Sequence, residues 1–205
     1  MSPSRTGRPR ASSPETLAEA ACELFLEQGY EFTSISDITQ RAGVSRSSFF
    51  NYFASKSAIM WSGLDERIQA CVQRLAADDD PDVRNGVQGA IVAIADGFTP
   101  DSLALAWRNA DAMEMRDELE QGAALRQACL AHAIATRFRR SGATAIEAEV
   151  WASAWAATVL VAVRAWSEHG SALTDLTELL NQAIASIDTA AIGSTRRSGD
   201  TESAR

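Results

Sequence analysis

Apolar residues along this 205-residue chain recur at intervals of three and four and rarely alternate with polar ones, a pattern that predicts helices and no sheet. A first helix is predicted from Pro14 to Gln28. Leu17, Ala21, Leu24, Phe25 and Gln28 share one face, Ser12 or Ser13 caps the start, Pro14 suits the first turn and Gly29 stops the helix. Ser34, followed three residues later by Asp37, is a capping-box start for a second helix. Ile35, Ile38 and Ala42 point inward, and Gly43 ends this helix at a tight turn. Ser45 caps a short third helix from Arg46 to about Tyr52, and a long fourth runs from about Lys56 to Ala76. The run Asp78-Asp79-Asp80-Pro81 closes the fourth helix. Further helices are predicted near 82–97, 101–109, 111–140, 144–168 and 173–190, with breaks at Pro100, Gly142 and Gly170. The fold class is therefore all-α with about nine helices: an N-terminal three-helix unit carrying a helix-turn-helix, on a larger C-terminal helical body. The expected boundaries are a disordered basic arm over 1–11, a headpiece over 12–56, a body over 57–192 and a disordered tail over 193–205.

The segment 33–56, TSISDITQRAGVSRSSFFNYFASK, carries the candidate chemistry. Two short helices joined by a four-residue turn containing glycine have the helix-turn-helix spacing. In such a unit the second helix lies across a DNA backbone, and the third presents its N-terminal residues to base edges in the major groove. Those residues are Arg46, Ser47 and Ser48. Arg46 can donate two hydrogen bonds to a guanine, and the serines can pair with several bases. Ser34, Ser36, Tyr52 and Lys56, with the amides at the helix starts, are placed to reach phosphates. The same spacing also arises from two ordinary core helices.

The full run narrows that choice. Ile38-Thr39-Gln40-Arg41-Ala42-Gly43-Val44-Ser45, then Phe49-Phe50-Asn51-Tyr52-Phe53 and Ser55-Lys56, resembles the signature of the TetR family of transcription regulators over about residues 12–60. The resemblance implies that Phe49 and Phe53 are headpiece core. It implies that Arg46, Ser47, Ser48 and Asn51 face the groove, and that Lys56 is the family's lysine at the start of the fourth helix. Phe50 stands where the family often has tyrosine, so a phosphate hydrogen bond is missing there. It also implies a homodimer through the last two helices, a palindromic operator in double-stranded DNA, and a small-molecule effector. A narrower resemblance, Phe49 to Lys56 followed by Trp61, is to regulators of the mycofactocin type, whose effectors include acyl-CoA esters.

Charge sharpens the reading. The net charge is −8, yet residues 1–56 balance six basic side chains (Arg5, Arg8, Arg10, Arg41, Arg46, Lys56) against six acidic ones. The acidity belongs to the body, which repels DNA while the headpiece can approach it. Arg8 and Arg10, in a Gly-Arg-Pro-Arg context, either enter the minor groove or form a solvated tail attracted to phosphate. Lys56 is the only lysine among 19 basic residues.

In the body, the stretch 150–166 is apolar nearly all round, so it is expected to be buried on two sides. Its longest apolar run, Val150 to Val163, is about 14 residues against the roughly 20 that span a bilayer. It reads as a core helix of a cytoplasmic protein with no membrane partner. Trp151, Trp155, Val159, Ala162 and Trp166 form one stripe, and Ser153, Ala157, Leu160 and Arg164 lie opposite. Phe98, Trp107, Met113, Met115, Trp151 and Trp155 are candidates to line an effector cavity, the alternative for each being plain core packing. Arg137, Arg139 and Arg140 either bind an anionic head group or complement a helix end. The three cysteines are distant from one another and read as buried thiols in a reducing compartment. Two histidines (His132, His169) have no nucleophile beside them in sequence, and no catalytic motif, metal-ligand set or cofactor loop occurs. An enzyme is not expected, and no cofactor either. The remaining alternative is a sensor or partner-binding protein of the same fold without operator binding.

Overall fold

In a computed structural model of the protein, residues 13–99, 101–169 and 174–199 are described, with side chains to residue 187. The predicted arm with Arg5, Arg8 and Arg10, the cap option Ser12, the breaks Pro100 and Gly170, and residues 200–205 lie outside the described residues. The described residues form nine α-helices and no strand: α1 Pro14–Gln28, α2 Ile35–Ala42, α3 Arg46–Phe50, α4 Ala58–Ala77, α5 Val83–Val92, α6 Ser102–Arg108, α7 Arg116–Arg140, α8 Ala145–His169 and α9 Leu176–Gly199.

The N-terminal helices begin and end where local chemistry directs. Ser13 accepts the Thr16 N–H at α1, and Pro14 opens its first turn. At α2 the Ser34 hydroxyl accepts the Asp37 N–H at 3.2 Å, while Asp37 Oδ2 accepts the Ser34 N–H at 2.8 Å, a complete capping box. Gly43 ends α2 in the left-handed region (φ 70°), where its missing Cβ removes the strain. Leu17, Leu24, Phe25, Ile38, Phe49 and Phe53 fill the core between the first three helices.

Three spans differ from the sequence pattern. Residues 111–115, expected to start a long helix, form a turn instead. Glu114 sits at φ 52°, a conformation that cannot propagate a right-handed helix, so α7 starts at Arg116. The helix expected over 82–97 is α5 followed by a 3-10 turn, Ala93–Ala95. At the other end, α9 runs to Gly199, past the expected end near 190 and into the stretch read as a disordered tail.

α4 links headpiece to body by packing on α1, α5, α6 and α7, and α8 packs on α6, α7 and α9. By length and composition α8 could cross a membrane, but half of its most apolar window is buried within the fold. Trp155, Val159, Ala162 and Trp166 of its expected stripe are buried, while Ile146, Val150, Trp151 and Val161 remain exposed. Of the three cysteines expected to be buried thiols, Cys22 and Cys71 are buried and Cys129 is exposed.

Candidate nucleic-acid interface

The turn between α2 and α3 sets the site. The Gly43 N–H donates to the Gln40 and Thr39 carbonyls, and the Val44 N–H to Thr39 at 3.0 Å. Ser45 then caps α3 by accepting the Ser48 N–H at 3.0 Å. Phe49 is fully buried, with its ring 5.3 Å from Phe50 and 5.8 Å from Phe53. This anchor directs the rest of α3 outward. Ser36, Arg46, Ser47, Phe50, Asn51 and Tyr52 are exposed around α2 and α3, and Ser48 is half-buried. Arg46 Nη1 donates to Ser36 Oγ at 3.3 Å, so the base-reading candidate rests on a phosphate-reaching one. The Ser34 hydroxyl is occupied within the capping box, donating to Asp37 Oδ2 at 2.6 Å.

Lys56, expected to reach a phosphate, is engaged within the fold. Its ammonium turns inward, donating to the Tyr30 carbonyl at 2.5 Å and the Thr33 carbonyl at 3.0 Å, over the face of the Tyr30 ring. Arg41 is held on the far side of α2 by Glu27, through two hydrogen bonds of 2.9 and 2.6 Å, and by Glu23 at 3.2 Å. Those carboxylates raise the Arg41 pKa and hold it cationic. Of the three basic side chains described in the headpiece, Arg46 is therefore the one presented with the exposed polar set.

Tyr30 ties the headpiece to the body. Its N–H donates to the Met113 carbonyl at 2.7 Å, and its phenol hydrogen-bonds Ser57 and Glu118. Burial, then the Glu118 charge, push the phenol pKa up to about 12. Gly29 beside it (φ 84°) packs so closely that a Cβ there would stand 2.9 Å from a carboxylate oxygen of Glu114. The sequence carried no signal for this joint, because it depends on which turn of the body faces the end of α1.

Each of the six side chains offered as effector lining makes packing contacts in the body. Phe98 stacks on Trp166 at 5.3 Å, and Trp107 is buried beneath Arg164. Met113 and Met115 are buried in the turn before α7, and Trp155 is buried near Arg84. Trp151 is 44% exposed and edge-on to Phe138. Cavities of about 480, 510, 470 and 120 Å³ among the described residues are lined by other side chains. The arginine cluster is likewise engaged. Arg137 pairs with Asp78, Arg140 donates to the last carbonyls of α4 (Leu75, Ala76) and to Asp78, and Arg139 pairs with Glu149.

Residues 17–60, from α1 through the start of α4, match the family model of bacterial regulatory proteins of the tetR family. The chain carries a TetR-family N-terminal domain. It is 35% identical over 92 residues to the putative mycofactocin biosynthesis transcriptional regulator MftR of Mycobacterium tuberculosis, covering 44% of this chain and 46% of that protein. It is 36% identical over 70 residues to the HTH-type transcriptional regulator TcmR of Streptomyces glaucescens, covering 33% and 31%. The matched segments thus span less than half the length of these relatives. The fold extends further. A TetR-family regulator from Syntrophomonas wolfei aligns with a TM-score of 0.56 at 16% identity, over 87% of this chain and 94% of that one. Thermus thermophilus FadR, in complex with lauroyl-CoA, aligns at 0.50 and 23% identity, over 84% and 91%. The likeness of fold thus runs through the all-helical body as well as the headpiece.

Proposed function

We propose that this chain is a sequence-specific DNA-binding transcription regulator of the TetR family. It binds a palindromic operator as a homodimer, acts as a repressor, and is released by a small, largely apolar effector. The observation that carries the reading is the helix-turn-helix tip, where a buried Phe49 fixes α3 so that Arg46, Ser47 and Asn51 stand exposed. Arg46 reads a guanine, Ser47, Ser48 and Asn51 contact neighbouring bases, and Ser34, Ser36, Tyr52 and Phe50 border the backbone. Arg8 and Arg10 add contacts from the arm. Lys56 acts from inside, by holding the turn that positions α2.

The dimer reading is supported by α8, whose exposed Ile146, Val150, Trp151 and Val161 offer apolar surface beside α9. Trp151 fits that interface better than a ligand cavity. A two-fold dimer spaces the two recognition helices by about one DNA turn, roughly 34 Å. For the effector, Phe98, Trp107, Met113, Met115 and Trp155 remain the candidate lining, and their close packing requires the body to open as a ligand enters. The lauroyl-CoA complex of the Thermus thermophilus neighbour supports an acyl-CoA ester as the effector class. A regulator of this kind works in the cytoplasm and performs no catalysis.

Selection of bound sequences from random duplex DNA by the purified protein tests the reading. The expected result is a palindrome with half-sites one turn apart, bound with a dimer's stoichiometry. No enriched sequence, or equal enrichment by the Arg46→Ala protein, rules it out.

A further inference from the structure

The cavity of about 480 Å³ lies between headpiece and body, and the DNA-binding surface does not use it. Its size falls within the roughly 300–1,000 Å³ of small-molecule sites. One wall is α1, with Glu15, Ala18, Glu19 and Cys22, and Phe53 closes the headpiece side. The opposite wall comes from α4 and α6, with Ser62, Gly63, Asp101, Ser102 and Leu105. Three carboxylates thus share the cavity with an apolar floor, and none of the lining side chains is basic.

Asp101 is the distinctive member. One carboxylate oxygen caps α6 by accepting the Leu103 and Ala104 N–H groups at 3.0 and 3.3 Å. The other faces Gly63, where a Cβ would stand 2.5 Å from it, so only glycine in α4 lets the carboxylate sit there. Burial raises its pKa despite those two amides. The nearest arginine in charge terms, Arg67, is spent on the Ile94, Asp96 and Gly97 carbonyls and lies over the Phe98 ring. Cys22 reports the same negative field. Burial first, then Asp101 and Glu23, push its thiol up to about 11, so it presents a neutral sulfur to the cavity.

We propose that this cavity binds a lipophilic organic cation, a quaternary or protonated amine with an apolar body, between α1 and the α4–α6 wall. An anion is opposed by Glu15, Glu19 and Asp101, and a neutral molecule leaves those charges unanswered. The cation's apolar part covers Ala18, Phe53 and Leu105. Because the site is shared by headpiece and body, occupancy biases the angle between them. That consequence rests on the operator-binding reading, whereas the binding itself does not.

Titration calorimetry of the full chain with benzyltriethylammonium tests it, beside benzylsulfonate and the neutral benzyl alcohol. Saturable one-site binding of the cation is expected, with at least tenfold weaker binding of the other two. The Glu15→Gln/Glu19→Gln protein, altered only at two exposed side chains of the cavity wall, is expected to lose cation affinity by about tenfold. Asp101→Asn, which keeps an acceptor for the cap, should lose a similar factor. Equal binding of the neutral compound, no saturable binding, or unchanged affinity in both variants overturns the proposal. Cation binding that emerges only in the Arg5→Ala/Arg8→Ala/Arg10→Ala protein also overturns it, by making the chain's own arginines the occupant. Operator affinity measured on the same samples without cation keeps the two readings apart. Operator binding without cation binding defeats the cavity alone, and the converse defeats the regulator alone.

Discussion

The Lys56 ammonium lies 3.9 Å from the centre of the Tyr30 ring while donating to the Tyr30 backbone carbonyl. One side chain at the entrance to α4 thus closes the end of α1 and, through Thr33, the approach to α2. Replacing it with methionine keeps the stem but removes the ammonium from the Thr33 carbonyl and leaves the Tyr30 carbonyl with only the Thr33 N–H, at 3.2 Å. A loss of about 1–3 kcal/mol in unfolding free energy is expected, measured by urea denaturation. Operator affinity should fall without a change in its salt dependence. A phosphate-contacting lysine would instead lower the slope of log affinity against log salt by about 1.

Arg46 is exposed, with its guanidinium resting on the Ser36 hydroxyl, so its removal should leave stability within about 0.5 kcal/mol. Arg46→Ala is expected to weaken operator binding by about 1–3 kcal/mol and to relax preference at one base pair per half-site. Competition binding with singly substituted operators separates that pattern from a uniform loss, which would make Arg46 a phosphate contact.

The capping box predicts an acid-sensitive headpiece. Hydrogen bonds from the Ser34 hydroxyl and N–H hold the Asp37 carboxyl below its ordinary range. A carboxyl depressed in the folded state stabilises fully above its unfolded pKa, about 3.9. That contribution disappears as pH falls through the lower folded value. Thermal unfolding from pH 5 to pH 2 should therefore show a smaller decline for Asp37→Asn than for the native chain. Ser34→Ala should lower stability by roughly 1 kcal/mol at neutral pH.

What was legible in the sequence follows the range of the interactions involved. Ser13 with Pro14, Ser34 with Asp37, Gly43 and Ser45 act within four residues, and the boundaries they set for α1 and α2 stand where expected. The motif also located the exposed set around Arg46. The motif position of Lys56 is recognisable in sequence, but its contact with Tyr30, 26 residues away, is not. The aromatic supply of the body was visible but its arrangement was not. Whether a tryptophan lines a cavity or packs in the core, the two readings open for Trp107, depends on how distant helices cross, and here Arg164 lies over its ring. The turn at Glu114 had no signal, since glutamate is an ordinary helix former.

Gly122 on α7 meets the Trp61 indole so closely that a Cβ there would stand 2.5 Å from Nε1. Trp61 cannot yield easily. It is buried at 2% exposure, and Arg126 covers its face at 4.1 Å while Asp65 holds the guanidinium with two hydrogen bonds of 2.7 and 2.6 Å. Gly122→Ala raises helix propensity in isolation, yet overpacking should win, destabilising the chain by about 1–3 kcal/mol. A rise in melting temperature would mean the α4–α7 contact is looser than the geometry indicates.

Arg137 and Asp78 join α7 to the end of α4 with both partners withdrawn from water, at 5% and 18% side-chain exposure and 2.7 Å separation. Arg137 also donates to the Asp80 carbonyl at 2.6 Å, which makes the acidic run that closes α4 part of the joint. Removing one partner from such a pair leaves an unanswered charge, so Arg137→Leu should destabilise by about 3–5 kcal/mol. Replacing both, Arg137→Leu with Asp78→Leu, removes the uncompensated charge, and the double variant should recover more than half of that loss. A double-mutant cycle by chemical denaturation measures the coupling directly. Additive losses would show that the two side chains stabilise the fold independently, through the Asp80 carbonyl and the α4 terminus rather than through each other.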